Sequence, residues 1–368
     1  MKLENCKEYN LQFKTLIILI LIQILLCLIN SINEKLTQNN DKRIGIIGFE
    51  NGNNIGNNMV KYSMYILLKS LGFKPTLISL KQNINIYFLR EYLNIKEINN
   101  YYTDLNESDY DFLVVNSDQV WSCYYKYLLE VGFLSFAYNW NVSKFVYAAS
   151  LGHDVWEVSK KVLLSAKKLV KQFTGISVRE QKSVNLIKNY LGIEPNFVLD
   201  PTFLIDKNEY LKLIKNFKID LDLKKNYLCA YILDKNDLTL NFINKASNFL
   251  NYTTIYVECE VDNYIEKFFY HYNLCQSIIT DSFHGTVFSI LYQRQFVMYA
   301  RNERTSSRMV SLLKQLGIAD RVVTENMTAK TIQAKLREPI DYTEVLEKLS
   351  KLRESSFQFL KGLDCFKK

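Results

Sequence analysis

Short apolar runs and amphipathic stretches of helical length alternate along the chain from Arg43 onward, and this alternation limits the possible folds more than any other feature. In the first half, strands are expected at residues 44–49, 75–79, 112–116, 145–148, 175–178 and 196–199. Amphipathic helices, among them residues 59–71 and 160–171, lie between them. Strands that alternate with helices at this spacing predict a parallel sheet with helices on both faces.

The alternation pauses near residues 206–225 and then begins a second time. Strands are expected at residues 227–233, 254–257, 277–280, 296–300 and 321–323, with helices at 238–249, 287–292 and 307–316. Two such runs predict two Rossmann-like domains, at residues 43–206 and 207–341, and an amphipathic helix at 342–363 that packs back across a domain. Ligands of these domains bind outside the carboxyl ends of the strands, so we expect a site in the cleft between the halves.

Residues 1–42 form a separate N-terminal segment with an apolar centre. Residues 15–32 contain no charged side chain, and a helix of about 20 apolar residues spans a bilayer. We therefore expect an N-terminal hydrophobic helix that anchors the chain, followed by a short polar linker. A cleaved signal peptide and a mispredicted start codon are the alternatives, although Leu28-Ile29-Asn30 offers no small-x-small cleavage site.

The side of the membrane is not decided by the sequence, because basic residues flank residues 15–32 equally on both sides. Four glycosylation sequons follow, at Asn106, Asn141, Asn251 and Asn326. They suit a lumenal, Golgi-type domain in a eukaryote, while chance produces such sequons in a chain this rich in Asn. In a bacterium the same domain is expected at the cytoplasmic face.

The composition excludes several classes of protein. The net charge of +8 is spread along the chain without a block of like charges, which argues against a nucleic-acid partner. The seven Cys residues stand at irregular spacings without a Cys-x-x-Cys pair, and the chain has three His. We therefore expect no metal site and no disulfide framework.

Polar side chains follow four of the expected strands. Asp118, Arg179 and Asp200 each stand just after a strand of the first half, and Asp281 and His284 follow residues 277–280. Each of these, taken singly, also fits a turn or a helix cap. His284 favours a functional role, because histidine is scarce here and its imidazole is suited to acid/base chemistry at neutral pH. Asp281 is near enough in sequence to orient the imidazole.

Two further segments are candidate anion sites. The loop that contains Asn54 and Gly56 leads into a helix, whose free backbone N–H groups can hold an anion or a sugar hydroxyl. Arg304 and Arg308, with Arg301 beside them, form a basic cluster at the start of another expected helix. A solvated helix start is the alternative interpretation of that cluster.

Several of these segments, taken together and in order, carry a resemblance to a known family. They are Asn54-Ile-Gly56, Asn116-Ser-Asp-Gln-Val-Trp121, Tyr147-Ala-Ala-Ser-Leu-Gly152, Ser177-Val-Arg-Glu180, Val198-Leu-Asp-Pro201, Thr280-Asp-Ser-Phe-His-Gly-Thr-Val-Phe-Ser289 and Ser307-Arg308. In this combination the chain resembles the polysaccharide pyruvyl transferase family over about residues 43–363.

The resemblance implies a GT-B-like pair of Rossmann-like domains and a transferase that uses phosphoenolpyruvate as donor substrate, with no other cofactor. The implied reaction moves the enolpyruvyl unit onto two hydroxyls of a sugar in a glycan or polysaccharide precursor, which yields a cyclic ketal and phosphate. His284 matches the acid/base histidine of the family and Arg179 its donor-binding arginine. Ser282 stands where some members carry Arg, so Arg304 or Arg308 is expected to supply that contact.

The remaining candidate substrate-binding residues are Ser282 and Gly285 beside His284, Asp118 and Asp200. Two other functions remain open. A GT-B nucleotide-sugar glycosyltransferase uses the same scaffold, but residues 207–341 lack a pair of Glu residues seven apart to clasp a nucleotide. A membrane-tethered binding protein without catalysis is the other, and the presence of both Arg179 and His284 argues against it.

Overall fold

The structure is a computed structural model with two parallel β-sheets, each flanked by helices. It describes residues 42–49, 54–81, 88–124, 126–215, 217–219, 221–222, 224–258, 263–300, 303–324, 327 and 329–366. The expected anchor at residues 15–32 lies outside these residues. Within them, no helix combines the length and the apolar character that a membrane span requires.

The first sheet has seven strands, all parallel, in the order β3-β2-β1-β4-β5-β6-β7. These are β1 (Arg43–Ile47), β2 (Lys74–Leu80), β3 (Ile95–Ile98), β4 (Phe112–Val115), β5 (Ser143–Ala149), β6 (Gly175–Val178) and β7 (Asn196–Phe197). The central strands are almost wholly buried, as in sheets covered on both faces. The strand order reverses between β1 and β4, which opens a crevice at their carboxyl ends.

Helices of the first half cover this sheet. They are α1 (Ile55–Ser70), α2 (Lys126–Gly132), α3 (Lys160–Leu169) and α4 (Gln181–Leu191), followed by the short α5 (Lys207–Lys212). Asn54 caps α1 by accepting the Gly56 N–H at 2.8 Å, so the chain turns directly from the crevice into a helix.

The second sheet has five parallel strands in the order β12-β11-β10-β8-β9. Its strands are β8 (Tyr227–Tyr231), β9 (Thr253–Tyr256), β10 (Ser277–Thr280), β11 (Gln295–Tyr299) and β12 (Val322–Val323). Its helices are α6 (Asp237–Leu250), α7 (Tyr264–Leu274), α8 (Phe283–Leu291), α9 (Glu303–Gln315) and α10 (Ala329–Arg337). The prediction of an α/β fold with parallel sheets is therefore confirmed, and the break near residues 206–225 lies between β7 and β8.

The last helix, α11 (Tyr342–Gly362), connects the two halves. Near its start, the Tyr342 hydroxyl donates to the Ser289 carbonyl of the second half at 3.3 Å. Near its end, Ser356 Oγ accepts the Leu199 N–H of the first half at 2.9 Å. Arg353 Nε also donates to the Phe203 carbonyl at 2.6 Å, so α11 ties both halves together.

An aromatic core around Tyr210 of α5 joins α1 to the second half. Tyr210 lies parallel to Phe269 at 5.3 Å between ring centroids and edge-on to Phe288 at 5.0 Å. The Ser63 and Tyr210 hydroxyls lie 2.7 Å apart. Burying an aromatic ring such as that of Phe288 contributes about 1.5–3 kcal/mol, so this contact stabilises one relative position of the two sheets.

Three details differ from expectation. Strand β3 was not predicted, because Lys96 and Glu97 interrupt its apolar pattern at the sheet edge. Helix α8 begins at Phe283 rather than at residue 287, which places His284 in its first turn. Cys229 and Cys275 form a disulfide, with a sequence separation of 46 and Cα atoms 5.9 Å apart, and their spacing gave no sign of it.

Candidate active site

Side chains from three strand ends of the first half meet one histidine of the second half. Arg179 follows β6, Asp118 follows β4 and Asp200 follows β7. His284 reaches this group from α8, and its Nε2 lies 3.8 Å from Asp200 Oδ2. The four side chains form a buried polar cluster where the two halves meet.

Arg179 is enclosed by carboxylates. Its Nη1 donates to Asp200 Oδ2 at 2.6 Å, its Nη2 to Asp118 Oδ1 at 3.1 Å and its Nε to Glu180 Oε1 at 3.3 Å. The side chain is 1% exposed, and the Phe283 ring of the second half covers its guanidinium at 4.7 Å. A buried guanidinium with this many partners is suited to hold carboxylates in place.

Asp200 is ionised despite its burial. Burial alone raises the pKa of this carboxyl, but the facing His284 imidazole and the Arg179 guanidinium together hold the pKa well below its usual range. The Thr202 hydroxyl donates to Oδ1 at 2.6 Å and the Ser117 hydroxyl to Oδ2 at 3.0 Å. Asp200 thus places a fixed negative charge beside the His284 imidazole.

Asp118 is held in a strained backbone conformation, with a φ of 99° that residues other than glycine rarely adopt. Asn57, in the first turn of α1, donates its side-chain N–H to Asp118 Oδ2 at 3.0 Å. Although burial opposes it, the charge of Arg179 and the hydrogen bond from Asn57 lower the pKa of Asp118. Asp118 thus links the start of α1 to Arg179.

His284 is pressed against the start of α1. A Cβ atom added at Gly56 would lie 1.9 Å from His284 Nδ1, so a side chain at this position collides with the imidazole. Among the described residues, His284 Nε2 has no hydrogen-bond partner. The amino termini of α1 and α8 meet at this point, and helix amino termini attract anions.

Arg308 of α9 lies across a narrow cleft from the first half. The cleft is lined by Gly152, His153, Asp154, Glu180, Lys182, Ser183, Arg308 and Ser311. Burial and the charge of Arg179 lower the pKa of Arg308, and its Nε has no hydrogen-bond partner among the described residues. A shielded cation with an unused N–H donor is suited to bind an anion.

The predicted residues Asp281, Ser282 and Gly285 have structural roles around α8. Asp281 was expected to orient the imidazole, but its carboxylate accepts the backbone N–H groups of Leu233 at 2.8 Å and Asp234 at 3.1 Å. The carboxylate facing the imidazole is that of Asp200. Ser282 caps α8 by accepting the Gly285 N–H at 3.3 Å, so these residues build the helix that carries His284.

Three residues of the site were not among the predicted ones. Ser117, Glu180 and Asn57 belong to the site, and they stand next to or inside the segments that carried the family resemblance, which was their one sequence signal. The backbone of Arg304 belongs to α9, while the position of its side chain lies outside the described part of the structure. Within the described residues, no cluster of His, Cys, Asp or Glu has the arrangement of a metal site.

A family model described as polysaccharide pyruvyl transferase matches residues 54–303, a span that contains Gly56, Asp118, Arg179, Asp200 and His284. The chain belongs to the polysaccharide pyruvyl transferase family. It is accordingly a transferase enzyme, as the resemblance predicted. No curated protein sequence matches the sequence of this transferase.

Solved structures show the same fold at low sequence identity. The S. aureus MnaA–UDP structure is 9% identical over 87% of this chain and 95% of its own, with a TM-score of 0.54. The UDP-GlcNAc 2-epimerase from Methanocaldococcus jannaschii is 10% identical over 82% and 93%, with a TM-score of 0.52. A putative UDP-N-acetylglucosamine 2-epimerase from Listeria monocytogenes is 9% identical over 86% and 91%, with a TM-score of 0.51. These likenesses establish the GT-B-like fold of this transferase.

Proposed function

We propose that this transferase moves the pyruvyl unit of phosphoenolpyruvate onto two hydroxyls of one sugar in a glycan or polysaccharide precursor. The observation that carries the proposal is the meeting of His284, from one half, with Asp200 and Asp118, from the other. Family membership supports the reaction class. The identity of phosphoenolpyruvate as donor and of a sugar as acceptor belongs to the proposal.

The reaction requires the transfer of one proton to carbon and the removal of one proton from each of two sugar hydroxyls. The enol methylene carbon of the donor gains a proton, and the oxygen of the first sugar hydroxyl bonds to the adjacent carbon as its proton leaves. The bond to phosphate then breaks, the second hydroxyl oxygen takes its place with loss of its proton, and inorganic phosphate departs. We assign these proton transfers to the His284 imidazole, whose Nε2 faces the Asp200 carboxylate at 3.8 Å.

Asp200, rather than Asp281, is the carboxylate that orients the His284 imidazole. Its ionised carboxylate faces the imidazole, and Arg179 holds that carboxylate in position. Arg179 therefore acts on the histidine through Asp200 and Asp118. This differs from the donor-binding role that the family resemblance implied, because a donor that bound Arg179 would displace its carboxylate partners.

The phosphate and the carboxylate of the donor need cationic partners. Arg308 supplies one, through the Nε that has no partner among the described residues. The amino termini of α1 and α8 supply further N–H donors next to His284. Arg304 and Asn54 remain proposed contacts of the donor or the acceptor.

The test is phosphate release from phosphoenolpyruvate by the purified protein with a panel of glycan acceptors. His284→Ala is expected to reduce turnover about 10²–10⁴-fold, the usual contribution of a general acid/base. His271→Gln is the matched control, because His271 is also a buried histidine but lies on α7. Circular dichroism of both variants checks that they fold.

Two outcomes would overturn the proposal. Near wild-type phosphate release by the His284→Ala variant removes the histidine from the mechanism. Release of UDP from a UDP-sugar, without phosphate release from phosphoenolpyruvate, makes the protein a nucleotide-sugar glycosyltransferase instead.

A further inference from the structure

A broad depression on the surface of the first half lies apart from the cleft at Arg308, with which it shares no lining residue. Its volume is about 890 Å³. The lining residues, called the lysine depression here, are Tyr138, Leu164, Lys167, Lys168, Lys171, Gln172 and Leu191. Most of them belong to α3 or to the turn that follows it.

The lysine depression carries an uncompensated positive charge. Residues 158–178 include five lysines and no acidic residue. The five are exposed, and none forms an ion pair with a described residue: Lys160, Lys161, Lys167, Lys168 and Lys171. A local field of one sign attracts a ligand with several charges of the other sign.

An apolar platform lies within this positive charge. Leu164 is 59% exposed, unusually far for a leucine on a helix that has a buried face, and Tyr138 is 40% exposed. Lys168 Nζ lies 4.6 Å above the Tyr138 ring. Residues three and four apart are neighbours on a helix surface, so the lysines of α3 surround Leu164 on two sides.

We propose that the lysine depression binds an acidic polysaccharide, at a distance from the catalytic cleft. A sugar ring has an apolar C–H face that fits the platform of Tyr138 and Leu164, and carboxylates at its rim reach the lysines. The concave shape receives a polymer chain better than it receives the flat surface of a membrane. The identity of the polymer rests on the proposed function: each pyruvate ketal adds one carboxylate, so the product is held more firmly than the acceptor.

The first experiment measures binding of polygalacturonate, a carboxylated glycan, and of neutral dextran by titration calorimetry at low and high salt. K167E/K168E/K171E is expected to bind polygalacturonate about tenfold more weakly, the combined effect of three exposed ion pairs. K207E/K314E/K361E is the control, since it makes the same change in net charge at lysines exposed elsewhere. It is expected to bind as the wild type does.

The second experiment separates a glycan from other polyanions. The Leu164→Ser variant, alone and with Tyr138→Ala, is expected to weaken binding of polygalacturonate but not of polyglutamate. Equal binding of both polymers, unchanged by these substitutions, overturns the proposal. Binding of phosphatidylglycerol vesicles without binding of polygalacturonate also overturns it, in favour of a membrane contact, and so does binding of neither.

Turnover distinguishes this inference from the proposed function. In K167E/K168E/K171E, KM for a polymeric acceptor is expected to rise while turnover of a short acceptor is unchanged. If no acceptor supports phosphate release, the proposed function is wrong while the binding of polygalacturonate still stands or falls by itself.

Discussion

Replacement of Gly56 by alanine is expected to affect the stability of α1 and the rate of turnover in different directions. Gly56 lies in the first turn of α1, where alanine is the better helix former by up to about 1 kcal/mol. The helix alone therefore predicts a variant that is as stable as the wild type or slightly more stable. The site predicts a different result for turnover.

The new methyl group meets the imidazole of His284. It would lie 1.9 Å from Nδ1, whereas ordinary van der Waals contact begins at 3.4 Å, so one of the two must retreat by about 1.5 Å. A misplacement of about 1 Å at a reacting group costs about 10²-fold in rate. We expect kcat for phosphate release to fall at least about a hundredfold and the affinity for the donor to change little.

The assay pairs steady-state phosphate release with calorimetric unfolding. Gly362→Ala is the matched control, because Gly362 also lies in a helix and a Cβ there meets nothing within 4 Å. In a His284→Ala background the clash disappears, so adding Gly56→Ala should cost no further stability. Wild-type kcat in the Gly56→Ala variant would refute the reasoning, since the imidazole would then not need the space that Gly56 leaves.

Four further outcomes are expected. The pKa of Asp200 is depressed in the folded protein, so its contribution to stability is complete above about pH 4 and is lost as the pH falls further. In a plot of the free energy of unfolding by urea against pH, Asp200→Asn should therefore flatten the fall at acid pH. Arg179→Lys should lower kcat while KM for phosphoenolpyruvate stays within about threefold, and a large rise in KM with unchanged kcat would restore a donor-binding role. Arg308→Gln should raise that KM about 10–100-fold, the value of a charge-assisted hydrogen bond. The full chain should stay with membranes after alkaline carbonate extraction, while the fragment 43–368 should be released, and release of both would exclude the anchor at residues 15–32.

Local sequence pattern was sufficient for most of the sheet framework. Strands buried on both faces appear as short apolar runs between turn residues, and β6 and β10 begin and end where that pattern predicted. The pattern failed at β3, where an edge strand tolerates Lys96 and Glu97 because one side of it faces solvent. The polar strand ends were also readable, because the carboxyl ends of parallel strands lie at one edge of a sheet.

Only the tertiary structure decided how those polar residues pair. In sequence, Asp281 is the acid nearest to His284, but Ser282 starts α8 between them, and Asp281 accepts N–H groups of the loop after β8. Asp200 faces the imidazole from another sheet because the aromatic contacts of Tyr210 on α5 and the bonds of α11 seat the two halves against each other. Periodicity along a chain reports which face of an element is buried, whereas the partner of a buried charge depends on packing between elements that are distant in sequence.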